Sequence, residues 1–272
     1  MPFETSYPYA ASLGFLQGTA RVATLGNNPD VDTGTQPEDV WAGATLGVLN
    51  GIDHRFIPLP VSAVSMEVVS DSANDAAAGT GARTVVIGYL TSDYTAKSVV
   101  LALNGLTPVA LPEPALRVNM LAVVTSGTRG NNNAGNISVR LAGGLGATYK
   151  YLTVGVGFER SSMFTVPKGS SFDLISMFFC INRTDTVDRA AIFSLCNQSS
   201  SGRLIKGIQL TCTTTVPYRH EADGCPLISY AATTDVWIRC EAVNNNNTDV
   251  TASLFGIQRN SGPFAEYYNR QI

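Results

Sequence analysis

Hydrophobic residues in the middle of the chain come in short runs, and each run is bounded by Gly, Pro, Asn, Asp or Ser. The runs are VSAVSMEVV (61–69), RTVVIGYL (83–90), KSVVLAL (97–103), LRVNMLAVVT (116–125) and NISVRLA (136–142). They are rich in β-branched residues, and none keeps the spacing of a helix over about ten positions. This pattern predicts five β-strands joined by turns.

The second half of the chain repeats this style. Its runs are KYLTVGVGF (150–158), SSMFTVP (161–167), SFDLISMFFCINRT (171–184), RAAIFSLC (189–196), RLIKGIQLTCTTTVPY (203–218), DVWIRCEAV (235–243) and DVTASLFGIQR (249–259). The Pro and Gly of VPKGSS (166–171) predict a tight turn between two of them. Strands at near-regular spacing with polar turns predict an all-β fold, an antiparallel β-sandwich or jelly roll.

Residues 1–58 lack this periodicity, because Gly, Pro and Asn interrupt the stretch repeatedly. We predict an extended N-terminal arm here, followed by two β-sandwich halves or domains at 59–148 and 149–272. Trp41 is the predicted anchor of the arm, since an aromatic residue in a polar segment usually packs against something. Its contact is either the body of the same chain or a neighbouring subunit.

Charge narrows the possible partners. The 272 residues carry a formal net charge of −3, and their 18 Lys and Arg residues are scattered, so we expect no nucleic-acid partner. No apolar run has the length of a membrane helix, and we expect no membrane partner. Only 14% of residues are charged, and low charge suits a surface that is covered by other protein.

The C-terminal sequence FAEYYNRQI (264–272) concentrates Phe264, Tyr267 and Tyr268. Tyr is enriched at protein interfaces. We predict either a subunit contact or a tail docked on the body, and these three residues join Trp41 as predicted interface residues.

The five cysteines are Cys180, Cys196, Cys212, Cys225 and Cys240. Their odd number and the absence of a C-x-x-C pattern argue against a disulfide framework of the secreted type. The prediction is buried, reduced thiols.

Three segments contain residues that could carry chemistry, and each has a simpler interpretation. Gly79-Thr80-Gly81 precedes a strand pattern instead of a helix, so we predict a hinge and no phosphate loop. YRHEADGC (218–225) lacks zinc-ligand spacing and predicts a polar surface loop. NNPDVDTGTQPED (27–39) fails the EF-hand pattern and predicts a turn rich in Asp and Asn. We therefore predict no catalytic residue, no metal, no cofactor and no enzyme activity.

Three stretches resemble the virion structural proteins of tailed bacteriophages. They are VVSDSANDAAAGTGARTVVIGYLTSDYTAKSVVLALNG (68–105), LRVNMLAVVTSGTRGNNNAGNISVR (116–140) and FTVPKGSSFDLIS (164–176). The resemblance implies a structural role in a virus particle and assembly in the cytoplasm of a bacterial host. It carries no catalytic motif, so no functional residue is transferred by it.

The expected function is that of a non-enzymatic virion protein, a compact component of the tail or head–tail junction. It would bind copies of itself, as a homo-oligomer, and other virion proteins of the head or tail. The alternatives are a capsid decoration protein and a carbohydrate- or receptor-binding module, whose glycan would meet loop Asn131–Asn133 or Asn244–Asn247. A hydrolase using Glu221 and Asp223 ranks last.

Overall fold

The computed structural model describes residues 18–128, 132–182, 188–213, 218–221 and 226–260. The chain divides into two compact units. The central unit comprises Asn27–Pro29 and Pro37–Ser161, and the terminal unit comprises Asp30–Gln36 with the described parts of Met1–Gly26 and Ser162–Ile272.

Twenty strands and one short 3₁₀ helix, Ala42–Leu46, make up the regular structure of the described residues. The strands are β1 (Thr19–Ala23), β2 (Gly26–Val31), β3 (Glu38–Asp39), β4 (Val48–Leu49), β5 (Ile52–Asp53), β6 (Met66–Ser70), β7 (Ala82–Leu90), β8 (Ala96–Ala102), β9 (Val109–Ala110), β10 (Arg117–Ser126), β11 (Ile137–Leu141), β12 (Thr148–Leu152), β13 (Phe164–Thr165), β14 (Ser170–Asn182), β15 (Ala190–Gln198), β16 (Leu204–Thr213), β17 (Tyr218–Glu221), β18 (Ile228–Tyr230), β19 (Asp235–Val243) and β20 (Thr248–Asn260). Over the described ranges, no helix is long and apolar enough to cross a membrane.

The central unit contains a three-stranded sheet, in the order β10–β7–β8, and a four-stranded sheet, in the order β12–β11–β6–β9. Side chains from both sheets share one hydrophobic core. Val85 and Ile87 of β7 and Val68 and Val139 of the other sheet are all 0% exposed. The core forms because alternate residues of each strand point to the same side.

The terminal unit is organised around the long antiparallel pair of β14 and β20, which runs from Ser170↔Asn260 to Asn182↔Asp249. β20 also pairs with β1, and a second sheet follows the order β13–β19–β15–β16. Phe179 of β14 and Phe193 of β15 place their ring centroids 5.1 Å apart, so the two sheets of this unit meet through aromatic side chains.

Most of the predicted strand runs contain a strand at the predicted place. RTVVIGYL (83–90) and KSVVLAL (97–103), for example, become β7 and β8 within a residue at each end. KYLTVGVGF (150–158), however, is strand only as far as Leu152, and SSMFTVP (161–167) only at Phe164–Thr165. The turn at 166–171 is also confirmed, because Gly169 has φ +72° and Ser170 N donates to Pro167 O at 3.2 Å. The described chain is nearly all β with antiparallel pairing, as predicted, and the finer assignment to a β-sandwich or jelly roll stays a prediction.

The described part of residues 1–58 packs on the rest of the chain, and whether 1–58 is a separate arm stays a prediction. β1 pairs with β20 residue by residue along its whole length. Val31, Val40 and Trp41 are at most 1% exposed. The apolar residues of this stretch form no run of strand length between Gly, Pro and Asn, so the local pattern does not show that distant strands cover them. Residues 1–17 lie outside the described residues. The predicted domains at 59–148 and 149–272 are a statement about independent folding, and they stay a prediction.

Candidate interaction surface

Trp41 is packed within the central unit. Its side chain is 1% exposed, and its Nε1 donates to the carbonyl oxygen of His54 at 2.9 Å. The ring lies over Gly43, where an added Cβ would come within 2.3 Å of ring carbons, so only glycine fits there. Of the two contacts predicted for Trp41, the structure therefore has the one with its own chain, and the indole offers a neighbouring subunit almost no surface.

The other predicted interface residues, Phe264, Tyr267 and Tyr268, lie outside the described residues. Their role at a subunit contact stays a prediction.

The segment YRHEADGC (218–225) does not begin as a loop. Its first four residues form β17, and His220 is paired with Met177 of β14. The backbone ladder to β14 decides this conformation, which the polar side chains do not indicate. Asp223 and Cys225 fall outside the described residues. Among the residues that are described, no three His, Cys, Asp or Glu side chains are grouped so that they could hold a metal ion.

The cysteines follow the prediction where they are described. Cys196, Cys212 and Cys240 are buried, and Cys180 is half-buried. Burial raises the pKa of the Cys180 thiol above its ordinary value. These residues fill apolar space as small hydrophobic side chains do.

The Gly79-Thr80-Gly81 connection leads directly into β7, so the predicted hinge is confirmed. The side chain of Asp75 lies against it and is 0% exposed. It accepts hydrogen bonds from Ser70 Oγ (2.6 Å), Ala82 N (2.7 Å), Ala134 N (2.7 Å) and Gly135 N (2.9 Å). A Cβ on Gly81 would lie 2.1 Å from Asp75 Oδ1. The backbone amides gathered near this turn thus bind a carboxylate of the chain itself, which explains the small residues around them.

A second group of buried polar side chains lies in the central unit. Lys150 Nζ is 3.1 Å and 3.2 Å from the two carboxylate oxygens of Glu159, and these side chains are 1% and 5% exposed. Burial raises the pKa of Glu159, and the nearby Lys150 charge acts against that shift. A buried pair of this kind is costly to break, because either partner alone is an uncompensated charge.

His54 is also fully buried, and its Nε2 accepts a hydrogen bond from Thr148 N at 3.0 Å. The proton of the neutral ring is therefore on Nδ1, which has no hydrogen-bond partner among the described residues. Burial lowers the pKa of His54 below its ordinary value. The imidazole is held neutral in the folded chain.

The Asn-rich loop at 244–248 borders a concavity of about 420 Å³ in the terminal unit. Asn244 Oδ1 accepts from Ala190 N at 2.7 Å, and Asn246 Oδ1 accepts from Thr33 Oγ1 at 2.6 Å. Arg189 donates to the carbonyl oxygen of Asn246. These hydrogen bonds connect the loop to the rest of the unit, so their evident role is to hold the loop in place.

Asp32 belongs to the same network, because its Oδ1 accepts from Asn247 N at 2.7 Å. Thr35 N donates to its carbonyl oxygen at 3.2 Å, which closes the predicted turn. In the other Asn-rich loop, Asn133 is 3% exposed, and its amide bonds Gly135 O, Thr153 O and Gly157 N. Glycan binding at either loop stays a prediction.

The most distinctive exposed feature is one face of the β10–β7–β8 sheet. Val85, Ile87 and Tyr89 of β7 point into the core, so Thr84, Val86 and Gly88 point to the opposite side. The strand register then aligns residues of the neighbouring strands in rows across this side. We call it the outer face, and it consists of Thr84, Val86, Gly88, Ser98, Val100, Ala102, Met120, Ala122, Thr125 and Phe158.

The outer face contains no charged residue. Its central row runs from Val100 through Val86 to Ala122, and Ala122 forms a bridge with Phe158. Val100 is 57% exposed and Phe158 is 44% exposed. Val124, in a bulge of β10 beside this row, is 52% exposed. Neighbouring apolar side chains that remain exposed in this way are typical of protein-binding surfaces.

The charged side chains of Lys97 and Glu113 lie off the outer face. Lys97 Nζ lies 2.6 Å from Glu113 Oε1, to which Tyr89 Oη also donates at 2.9 Å. Burial and the bond to Glu113 raise the pKa of Tyr89 to about 12, and Lys97 lowers the pKa of Glu113. Lys97 pairs across the sheet with Tyr89, which points to the core side, so its charge is not part of the outer face.

Among the described strands, β8 is an edge strand of its sheet. Leu103 N donates to Arg83 O at 2.9 Å, which makes these two residues a hydrogen-bonded pair. Because such pairs alternate along an antiparallel ladder, the N–H and C=O groups of Ser98, Val100 and Ala102 point away from β7. No described strand pairs with β8 on that side.

Sequence reasoning did not find this surface. KSVVLAL and RTVVIGYL have the same apolar character, and nothing local indicates that one of them forms an edge. One signal was present: β8 has a Lys at its start, and edge strands often carry Lys.

Comparisons with known proteins add little. No protein-family model and no curated protein matches the chain. Among solved structures, that of the infectious bursal disease virus Gx strain aligns with 100% of this chain and 85% of its own, at 10% identity and a TM-score of 0.14. T=1 particles derived from infectious bursal virus align with 94% of this chain and 85% of theirs, at 11% identity and a TM-score of 0.12. At such TM-scores the similarity carries no argument about fold or function.

Proposed function

We propose that this chain is a non-enzymatic structural protein of a virus particle. It works by binding copies of itself and neighbouring particle proteins. The observation that supports this proposal is the uncharged outer face, on which apolar side chains such as Val100 and Phe158 are exposed.

A chain that works alone in water usually places charges on an exposed sheet face, since exposed apolar side chains promote association. Here Val100 and Phe158 stay exposed on a face with no charge at all. Charge is depleted at the centres of protein interfaces, so the composition of this face fits a contact with protein.

The scaffold supports the same proposal. Antiparallel sheets with tight turns keep a face rigid, because each strand is fixed by its neighbours. A rigid face loses little conformational freedom on association, which favours repeated assembly.

The finer proposal is a compact component of the tail or head–tail junction of a tailed bacteriophage, assembled in the bacterial cytoplasm. It rests on the resemblance of residues 68–105, 116–140 and 164–176 to such virion proteins. A capsid decoration protein is the alternative within the same class.

The test is quantitative mass spectrometry of particles purified from the source, with a host cytoplasmic protein measured in the same sample as the control for contamination. About six or twelve copies per particle, the numbers expected of cyclic rings, would support a tail or neck position. Copies in the hundreds would support decoration of the shell. A level no higher than that of the host protein would refute the proposal.

A further inference from the structure

Residues 43–54, which we call the strap, form a surface element of the central unit. The strap contains most of the 3₁₀ helix and the whole β4–β5 hairpin. Among the described strands, β4 and β5 pair only with each other. Val48 is 67% exposed, and Asn50 and Gly51 at the turn are exposed as well. An element with few bonds to its surroundings is of the kind that opens locally while the rest of a protein stays folded.

Hydrogen bonds fix the chain on both sides of the strap. Before it, Ala42 N donates to the carbonyl oxygen of Arg160 at 2.8 Å. After it, the carbonyl oxygen of Arg55 accepts from Asp39 N at 2.8 Å. The two ends therefore stay in place if the residues between them move.

One buried contact ties the strap to a distant strand. Nε2 of His54 accepts from N of Thr148, the first residue of β12, at 3.0 Å. Among the described residues, no other hydrogen bond joins residues 43–54 to the chain outside residues 41–55. The carbonyl oxygen of His54 also accepts from Nε1 of Trp41 at 2.9 Å, so His54 holds the strap over the indole as well.

A second proton on the His54 ring does not fit this arrangement. The neutral ring carries its proton on Nδ1, which is buried and has no hydrogen-bond partner within the described ranges. Protonation of Nε2 turns an acceptor into a donor that faces the N–H of Thr148, so a hydrogen bond is replaced by repulsion. The closed strap would then bury a charged ring with no acceptor at either nitrogen, which is costly.

We propose that the strap is an acid-controlled cover for Trp41. Below about pH 6.5, His54 takes up a proton, its bond to Thr148 is lost, and residues 43–54 move outward between their fixed ends. The movement uncovers the indole ring, against which Gly43 packs in the closed strap. Trp is enriched among the residues that dominate binding energy at protein interfaces, so the uncovered ring is suited to bind protein. The inference goes beyond the proposed function and does not depend on it.

The charges near His54 do not remove the conflict. Burial lowers the pKa of His54, and it outweighs the opposite effects of nearby backbone groups and of the Asp53 charge. Asp53 is itself paired with Arg55, at 2.7 Å between Oδ2 and Nη2. The 3₁₀ helix and β4 contain no charged residue.

Neighbouring elements contribute further titratable side chains, and Asp53 is the charged one that acts on the pKa of His54. The anions near the strap have hydrogen-bond partners, since Glu38 accepts from Asn28 Nδ2 and Asp39 accepts from Ile57 N. Burial raises the pKa of both tyrosines of β12, so they stay neutral. The full set is Glu38 and Asp39 of β3, Arg140 of β11, Tyr149, Lys150 and Tyr151 of β12, and Glu159 and Arg160 after β12.

The size of the effect follows from proton binding. The open strap titrates near the ordinary histidine value of about 6.5, and the closed strap titrates at a lower pH. The open state therefore binds more protons in acid, and lowering the pH favours it. For one histidine that stays neutral in the closed strap, the equilibrium constant for opening rises about tenfold between pH 7.5 and pH 5.5.

Hydrogen exchange of the full chain, followed by NMR and corrected for the intrinsic exchange rate, measures this constant. The two probes are the backbone N–H of His54, which donates to Gly47 O, and the indole N–H of Trp41. A Trp237→Phe background leaves one indole signal. Both probes should give the same opening constant, about tenfold larger at pH 5.5 than at pH 7.5. Both should also exchange faster than the amides of β7, which are exposed only when the core opens.

Two histidine variants provide a matched comparison, because the chain contains His54 and His220 alone. His54→Gln keeps a side-chain acceptor that does not titrate, so the tenfold rise should fall to below about twofold. His220→Gln should leave the rise unchanged. Burial also raises the pKa of Glu159, and any change that this carboxyl causes would persist in His54→Gln.

Several results would overturn the inference. They are an opening constant that changes less than about threefold between the two pH values, a rise that survives in His54→Gln, or a rise that His220→Gln removes. Equal opening constants for the strap and β7 would also overturn it, because the whole unit would then open at once. If His54→Gln does not fold, ¹⁵N imidazole signals of the unmodified chain decide: a His54 ring that is charged at pH 5.5 without faster exchange refutes the cover.

Discussion

The buried carboxylate of Asp75 gives the sharpest prediction about stability. It accepts four hydrogen bonds, two at each oxygen, and three of the donors are backbone amides that cannot turn away. Asp75→Asn keeps the shape of the side chain and replaces one acceptor oxygen by an NH₂ group.

The structure allows the cost to be worked out. If the NH₂ group replaces Oδ1, it faces the N–H groups of Ala82 and Ala134, and both bonds are lost. If it replaces Oδ2, the Ser70 hydroxyl can turn to accept, and only the buried N–H of Gly135 is left without a partner. The second orientation is cheaper. Losing one bond to a charged group and weakening two others amounts to about 2–4 kcal/mol.

The matched control is Asp71→Asn. Asp71 accepts from Asn136 N at 2.7 Å and from Asn136 Nδ2 at 2.8 Å, but these bonds are exposed. Water can replace the lost acceptor there, so we expect a cost below about 1 kcal/mol.

Urea unfolding followed by tryptophan fluorescence provides the measurement. The chain has two tryptophans, Trp41 in the central unit with Asp75 and Trp237 in the terminal unit. In a Trp237→Phe background the signal therefore reports the unit that contains Asp75. Equal unfolding free energies for the Asp75 and Asp71 variants, within about 0.5 kcal/mol, would refute the reasoning.

Three further predictions concern the interior. Stability should fall as pH drops below about 6.5, because the histidine of the unfolded chain then binds a proton that buried His54, with its lowered pKa, does not bind. In a series of urea midpoints measured against pH, His54→Gln should flatten this part of the curve. Lys150→Met should cost about 3–5 kcal/mol by leaving Glu159 buried and unpaired, and adding Glu159→Leu should restore most of it; a double variant as unstable as the single one would contradict this. Deleting residues 1–40 should lower the thermal midpoint or abolish folding, since the deletion removes β1 and fully buried Val31; an unchanged midpoint would support the extended arm.

The local pattern of apolar residues and turn formers was sufficient to predict the longer strands. DVWIRCEAV (235–243) is strand β19 at its exact limits, and SFDLISMFFCINRT (171–184) overlaps nearly all of β14. A strand needs only alternating or continuous apolar residues between turn formers, and both signals lie within a few residues of each other. The all-β class and the hinge before β7 depend on the same local information.

Three features depend on residues far apart in the chain. Residues 18–58 look irregular by themselves, and they become strands and buried anchors because distant strands supply the other half of each ladder and the apolar cover. Lys150 and Glu159 read as ordinary surface charges until folding places them together in the interior. Loops Asn131–Asn133 and Asn244–Asn247 suggested a ligand, but their described amides bond the chain itself.

The contrast between β7 and β8 shows most clearly what cannot be predicted from the sequence of a strand. Both are short, apolar and β-branched, and sequence alone determines that each is a strand. Only the tertiary structure makes β7 the centre of its described sheet and β8 a strand at its edge. Whether a strand has one partner or two depends on where the remaining chain passes, and no property of the strand's own residues contains that information.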